Sequence, residues 1–291
     1  MSDTSGLDVK RVFVAVFLLV YIMTAVFYGG ILLASFLGFF VFVGTKELVA
    51  IAKTKGLNPP FWFILGSNFI LLSLAAFKMN DLIFGVFTFI AFTAFLLILF
   101  RGKDARLNDL SMTILAIIYA SIFPLHTILI RNLEFTDFTI MEKSFPIGIG
   151  IVVLVFFATA MCDIGAFYSG KTFGKHPLWK AISPKKTIEG SIGGTLLGTS
   201  VAVLVGYFIG LSFIQSLIGG LLVTIAGQLG DLAESMIKRD AGIKDSGDVF
   251  PGHGGVLDRA DSYVFAVIIG YFYFKFVIMF DIFANSLIPF H

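Results

Sequence analysis

Aspartates and basic side chains are concentrated in residues 231–261, and their spacing indicates phosphate chemistry. Asp231 opens this segment, and Asp258 and Asp261 close it. A spacing of three places Asp258 and Asp261 on one helix face, with Cβ atoms about 5–6 Å apart. Carboxylates that close repel each other and favour a shared cation, and oxygen ligands suit Mg²⁺, which takes its other ligands from water and substrate phosphates. The three aspartates therefore predict a site for Mg²⁺, alone or with a second cation.

Basic side chains next to these aspartates favour a phosphate ligand beside the metal. They are Lys238, Arg239 and Arg259. The alternative for Asp258 and Asp261 is helix N-terminal capping, which acidic side chains favour. Their combination with Asp231 and with the basic residues favours a metal–phosphate site.

A glycine-rich loop, Pro251-Gly252-His253-Gly254-Gly255, precedes Asp258. Its backbone can approach a ligand closely, and its amides can hold phosphate oxygens. Three roles stay open for His253: a base, a phosphate donor or a structural turn residue.

A second polar segment, residues 163–190, begins with Asp163 at the edge of an apolar stretch. An ionised group inserted deeply into a membrane costs roughly a few kcal/mol, so Asp163 is a functional candidate. The run Lys185-Lys186-Thr187 could grip a triphosphate or an anionic lipid headgroup. Glycines at positions 190, 193, 194 and 198 predict helices that pack closely.

The chain as a whole is too apolar for a soluble enzyme. Of the 291 residues, 57% are hydrophobic and 14% are charged, against about 25% charged in soluble domains. The net charge of +2 does not indicate a nucleic-acid partner. The single cysteine, Cys162, excludes an intrachain disulfide.

Charge-free stretches of about 20 residues, the length that crosses a bilayer core about 30 Å thick, recur along the chain. They predict an all-α polytopic integral membrane protein with about nine transmembrane helices. The stretches are 12–28, 30–45, 61–77, 82–100, 110–130, 145–162, 191–230, which holds two helices that reverse near Gly210, and 262–280, which is interrupted only by Lys275 near its end. Residues 1–145 then form an N-terminal region of about five spans, and residues 146–291 form a catalytic region of about four.

The distribution of lysine and arginine predicts the orientation. With a cytoplasmic N-terminus, the inner segments hold 17 of the 21 basic residues and the outer segments hold three. Residues 163–190 and 231–261 are then cytoplasmic loops that flank one helical hairpin. We therefore expect one site, facing the cytoplasm, assembled from both loops.

Residues 235–261 resemble the signature of the phosphatidate cytidylyltransferase family, the CDP-diacylglycerol synthases. The matching positions are Ser235, Lys238, Arg239, Lys244, Asp245, His253, Gly254, Gly255, Asp258, Arg259 and Asp261. Asp163 and the run from Ser183 to Thr187 are similar to the family's other recurrent stretch. Ala260 and Ile188 depart from the pattern, which more often has a larger apolar residue and a tryptophan at these positions.

The resemblance implies transfer of a cytidylyl group from CTP to phosphatidic acid, which gives CDP-diacylglycerol and pyrophosphate. The implied catalytic residues are Asp231, Asp258 and Asp261, which would hold Mg²⁺, with Lys238, Arg239 and Arg259, which would neutralise phosphates. The implied substrate-binding residues are Asp163, Lys185, Lys186, Thr187, Ser235, Lys244, Asp245, His253, Gly254 and Gly255. The resemblance also implies a homodimer in the lipid bilayer.

Two other functions stay open. A CTP-dependent polyprenol or phytol kinase would attack the γ-phosphate instead of the α-phosphate and would release CDP. A secondary transporter would place charged groups near the bilayer midplane, often within internal repeats, whereas the charges here lie at the ends of spans. The short polar N-terminus, without a transit peptide, favours a bacterial inner (plasma) membrane.

Overall fold

The structure is a computed structural model and describes residues 19–134, 137–140, 143–249 and 254–287. Its helices are α1 (Leu19–Tyr28), α2 (Gly30–Thr54), α3 (Phe61–Ala76), α4 (Asn80–Leu99), α5 (Leu107–Ile117), α6 (Phe123–Arg131), α7 (Ile147–Phe173), α8 (Ile188–Phe208), α9 (Phe213–Asp240) and α10 (Leu257–Leu287). A 3₁₀ turn, Gly102–Asp104, precedes α5, and a π-helical turn, Ile118–Ile122, joins α5 to α6.

Two short antiparallel hairpins complete the described secondary structure. In the first, β1 (Asp137–Ile140) pairs with β2 (Lys143–Pro146), and Asp137 lies opposite Pro146. In the second, β3 (Pro177–Trp179) pairs with β4 (Ser183–Thr187) between α7 and α8. The second hairpin places Lys185 and Lys186 directly before the first turn of α8.

Seven of the described helical segments are long and apolar enough to cross a membrane: α2, α4, α5 to α6, α7, α8, α9 and α10. The apolar helices α1 and α3 are shorter. All of them lie at the apolar stretches found in the sequence, although the stretch 12–28 is described only from residue 19. The prediction of a helical membrane protein is confirmed.

The helices extend further into the polar segments than the sequence predicts. Helix α7 continues beyond Asp163 to Phe173, and α9 continues beyond Asp231 to Asp240. The first loop is therefore residues 174–187, and the described parts of the second are residues 241–249 and 254–256, so both loops are shorter than the predicted segments 163–190 and 231–261. Charged side chains remain within these helices because partners on neighbouring elements neutralise them, as Lys186 does for Asp231.

Glycines allow α8 to lie directly against α7, as predicted. A Cβ atom at Gly194 would lie 2.6 Å from the backbone oxygen of Cys162, and one at Gly190 would lie 2.8 Å from that of Ala166. Both distances are shorter than a carbon atom tolerates, so a side chain at either position would push the helices apart. This close packing places Thr187, the last residue of β4, against Gly170 near the C-terminal end of α7.

The reversal between α8 and α9 lies where the sequence predicts it. Gly210 has a φ of 81°, a left-handed conformation that glycine adopts without a steric cost. Ser212 then caps α9 through a capping box, because its hydroxyl accepts a hydrogen bond of 3.3 Å from the backbone N–H of Gln215. The two helices therefore form the expected hairpin between the two polar loops.

Candidate active site

Carboxylates from α7, α9 and α10 meet near the end of the bundle where α10 begins. Asp163 accepts a hydrogen bond of 3.2 Å from the hydroxyl of Ser262 on α10. Asp261 lies close enough to Asp231 and Asp163 for their negative charges to repel one another. The approach of α9 to α10 depends on Gly230, where a Cβ atom would lie 2.4 Å from the backbone oxygen of Asp261. The structure thus brings together three acidic residues that the sequence singles out.

Lys238 and Asp258 form a buried ion pair that joins α9 to α10. The Lys238 ammonium lies 2.5 Å from Asp258 Oδ1 and 2.5 Å from Glu234 Oε2, and its side chain is only 11% exposed. Asp258 Oδ2 accepts hydrogen bonds from the Ser246 backbone N–H, from the Ser246 hydroxyl and from the Gly255 backbone N–H, at 2.8, 2.9 and 2.8 Å. Both oxygens of Asp258 are therefore engaged within the protein, by the Lys238 ammonium and by donors that precede α10.

Glu47, on α2, is a buried carboxylate to which the sequence analysis gave no role. Its Oε1 accepts a hydrogen bond of 2.9 Å from the backbone N–H of Val256, and its Oε2 accepts bonds of 3.0 Å from that of Leu257 and 3.1 Å from the Ser246 hydroxyl. These N–H groups belong to the start of α10, where the helix dipole favours a negative charge. Glu47 could have been identified from the sequence as an acidic residue within an apolar helix, because such residues are usually structural partners or functional groups.

Two buried oxygen atoms near the acidic residues have no hydrogen-bond partner among the described residues: the Tyr119 hydroxyl and Glu234 Oε1. Tyr119 lies in the π-helical turn and within electrostatic range of Glu234 and Asp261. Pro124 follows that turn, and its ring disfavours regular α-helical hydrogen bonding to the residue four positions earlier. The turn therefore brings a polar group to the acidic residues from α5 and α6.

The basic residues of the two polar segments divide into paired and exposed groups. Lys186 lies 2.5 Å from Asp231 Oδ2 and is 27% exposed, and Lys238 is buried between two carboxylates. The other seven basic side chains of these segments are exposed: Lys171, Lys175, Lys180, Lys185, Arg239, Lys244 and Arg259. Lys185, Arg239, Lys244 and Arg259 are the exposed basic members of the predicted site.

Two of the predicted substrate-binding residues have local structural contacts. The hydroxyl of Thr187 caps α8, since it accepts a hydrogen bond of 3.1 Å from the Gly190 backbone N–H. The buried hydroxyl of Ser235 lies 3.5 Å from Asp231 Oδ1, one helical turn away. Both residues position the segments that carry Lys186 and Asp231.

The glycine-rich loop is described only in part. Gly254 has a φ of 79°, a left-handed conformation that favours glycine. Gly255 is buried and donates its N–H to Asp258, while Asp245 is exposed earlier in the loop. The expectation for His253 falls outside the described residues.

Residues 9–277 match the sequence profile of the cytidylyltransferase family. The chain belongs to this family. A phosphatidate cytidylyltransferase from Synechocystis is 32% identical to this protein over 91% of the chain and 95% of the relative. One from Staphylococcus saprophyticus is 30% identical over 88% of the chain and 95% of the relative. The chloroplastic phosphatidate cytidylyltransferase 4 of Arabidopsis thaliana is 34% identical over 85% of the chain and 68% of the relative.

The acidic residues of this site fit a divalent cation only together with ligands from a substrate. Within the described ranges, no group of three or more histidine, cysteine or acidic side chains is arranged to hold a metal ion by itself. Mg²⁺ is usually bound by one or two carboxylates, with water and substrate phosphates as its other ligands. The mutual repulsion of Asp231 and Asp261, and the unpartnered Oε1 of Glu234, fit a cation that shares its ligands with a phosphate substrate.

Proposed function

We propose that this protein transfers the cytidylyl group of CTP to phosphatidic acid, which yields CDP-diacylglycerol and pyrophosphate. The observation that carries the proposal is the similarity, over 85–91% of the chain, to relatives named phosphatidate cytidylyltransferase. The meeting of acidic and basic side chains at one end of an apolar bundle supports it, because one substrate is a membrane lipid and the other is a polyanion.

The reaction requires neutralisation of charge more than it requires a base. The nucleophile is an oxygen of the lipid phosphate, which is already anionic at neutral pH. It forms a bond to the α-phosphorus of CTP while the bond from that phosphorus to the β-phosphate oxygen breaks and pyrophosphate leaves. Such transfers depend on in-line positioning and on cationic groups around the phosphates. The exposed residues Lys185, Arg239, Lys244 and Arg259 supply that positive charge.

For the metal, we propose Asp231 and Asp261 as ligands, with Asp163 beside them. A Mg²⁺ ion bound there would neutralise charge on the triphosphate. The sequence also predicts Asp258 as a ligand, but both of its oxygens already contact Lys238, Ser246 and Gly255. Asp231 differs, because only its Oδ2 pairs with a lysine, Lys186, and its Oδ1 lies 3.5 Å from the Ser235 hydroxyl. We therefore assign Asp258 and Lys238 a positioning role, in which they fix the start of α10 relative to α9. A second cation stays a prediction.

We propose nine membrane spans, with the N-terminus and both polar loops in the cytoplasm. The seven long helices account for seven spans, and α3 is the eighth. Helix α1 is the ninth if the apolar stretch that starts at residue 12 extends it. The excess of basic residues in the inner segments supports the orientation. The bacterial relatives support a location in a bacterial inner (plasma) membrane, and a homodimer is proposed on the family resemblance alone.

The test uses purified protein in detergent with labelled CTP, phosphatidic acid and Mg²⁺, with and without EDTA. We expect lipid-linked CMP and stoichiometric pyrophosphate, both lost on chelation. Release of CDP with a phosphorylated lipid alcohol, in a parallel assay, would instead identify a lipid kinase. Absence of both reactions would overturn the enzymatic proposal.

A further inference from the structure

An apolar cavity of about 310 Å³ lies between α1, α2, α6, α7 and α10. Aliphatic and aromatic side chains form most of its wall, and Arg259 is the one charged side chain among its described lining residues. The volume is at the lower end of the range for ligand sites, roughly 300–1,000 Å³. The cavity therefore has room for one slender apolar group.

The two ends of the cavity differ in character. Arg259 and Ala260, at the start of α10, mark the end next to the candidate active site. Val26, Leu33 and Val152 mark the other end, and each is at most 2% exposed, so that end is closed. On α2 the lining runs from Phe40 back to Leu33, which is roughly 10 Å at the helical rise of 1.5 Å per residue.

Among the described residues, the side of the cavity next to α1 and α2 is open toward the outside of the bundle. Leu19 on α1 and Phe39 on α2 both line it, yet they are 38% and 50% exposed. Both side chains belong to apolar helices, so in a bilayer this opening faces hydrocarbon rather than water. A lipid chain can enter through it without crossing a polar region.

Only an amphiphile matches all of these features. An apolar chain fits the wall and the closed end, and an anionic head fits the guanidinium of Arg259. Arg259 lies in the first turn of α10, so an anion held there is at the same end of the helix as the proposed reaction centre. We propose that the cavity binds one acyl chain of the phosphatidic acid substrate, with the lipid phosphate near Arg259 and the chain directed toward Val152. This assignment rests on the proposed function, and it leaves the second acyl chain in the bilayer.

Substitution at the closed end tests the assignment. Val152→Phe shortens the cavity and Val152→Ala lengthens it, so the two changes should shift chain-length preference in opposite directions. We expect Val152→Phe to lower the ratio of kcat/KM for long-chain over short-chain phosphatidic acid by about tenfold, the lower range for steric discrimination in an apolar pocket. Val152→Ala should raise that ratio. Leu204→Phe, on the exposed face of α8, is the matched control and should leave the ratio unchanged.

A binding measurement separates this proposal from the reaction itself. Phosphatidic acid with a photoreactive group at the end of one chain should cross-link to α1, α2 or α7 at the closed end, with or without CTP. Cross-links found only on the outer faces of α4 and α8 would overturn the cavity assignment alone. An active wild type whose kcat/KM ratio for long-chain over short-chain phosphatidic acid is unchanged in both Val152 variants would do the same. If the wild-type protein turns over neither long-chain nor short-chain phosphatidic acid but is still cross-linked at the closed end, the proposed reaction is overturned and the lipid-binding site is retained.

Discussion

The carboxylate of Glu47 accepts a hydrogen bond of 3.1 Å from the hydroxyl of Ser246, which lies 199 positions further along the chain. The same hydroxyl is 2.9 Å from Asp258 Oδ2. Ser246 therefore lies between a carboxylate of the N-terminal region and a carboxylate of the family signature. Glu47 acts on the signature loop through this contact and through the first N–H groups of α10.

Replacement of Glu47 should loosen the start of α10. In Glu47→Gln the amide keeps the volume, but its NH₂ group faces N–H donors, so at least one buried donor loses its acceptor. We expect a loss of about 1–3 kcal/mol in the free energy of unfolding, and a larger loss for Glu47→Ala. Thermal unfolding in detergent measures this, with Glu134→Gln, in an exposed ion pair, as the control. If Glu47→Gln unfolds at the wild-type temperature, the charge of the Glu47 carboxylate contributes nothing to the free energy of unfolding.

Removal of Lys238 should destabilise the protein strongly, because it leaves Glu234 and Asp258 buried without their cation. Breaking a buried ion pair in this way costs about 3–5 kcal/mol. The added substitution Glu234→Gln should restore part of the stability of Lys238→Met, since it removes one of the two stranded charges. Lys244→Met, at an exposed position, should unfold like the wild type. Equal stability of the single and double Lys238 variants would contradict the ion-pair assignment.

Substitutions of the signature aspartates should separate catalysis from stability. Asp261→Asn removes a charge that Asp231 and Asp163 repel, so the unfolding temperature should stay the same or rise. Turnover should fall by about a hundredfold or more, because a bound metal contributes several kcal/mol to such reactions.

Asp258→Asn should instead mainly affect stability. We expect a lower unfolding temperature, because the substitution weakens the contact with Lys238. Titration of both variants with Mg²⁺ completes the comparison: we expect a raised Mg²⁺ requirement for Asp261→Asn only. Asp240→Asn, whose carboxylate is 67% exposed and pairs with Lys55, should keep wild-type activity. A raised Mg²⁺ requirement in Asp258→Asn would return that residue to the metal ligands.

Close packing of α7 and α8 predicts opposite effects for two glycine substitutions. A Cβ atom at Gly194 would lie 2.6 Å from the backbone oxygen of Cys162, so Gly194→Ala must separate the helices and should cost about 1–3 kcal/mol. At Gly85, within α4, nothing lies within 4 Å of the added carbon. Gly85→Ala should therefore stabilise the protein by about 0.5–1 kcal/mol. The same sign for both changes in thermal unfolding would contradict this packing.

The helix positions and the convergence of the two polar segments could be predicted from the sequence, because both follow from local patterns. A run of about 20 apolar residues has few alternatives to a membrane helix. Two polar segments on either side of one hairpin must lie at the same end of it. Asp163, Asp231 and Asp261 therefore come together as the sequence predicts.

The direction of each side chain could not be predicted in the same way. Asp258 and Asp261 are three residues apart on α10 and differ by roughly 60° around its axis. That angle is enough for one to face Lys238 and the other Asp163, and the rotation of α10 is set by its packing against Gly230. The pairing of Glu47 with Ser246 depends on contacts across 199 positions, for which no local pattern exists.

The attachment of Glu47 to the start of α10 has a consequence for biosynthesis. At a translation rate of about 5–20 residues per second, the ribosome needs roughly 10–40 s to make the 199 residues between Glu47 and Ser246. During that interval the Glu47 carboxylate enters the membrane without the N–H groups that it binds in the finished protein. The signature loop therefore reaches its final shape only after almost the whole chain has been inserted, so a nascent or truncated chain carries no assembled reaction centre.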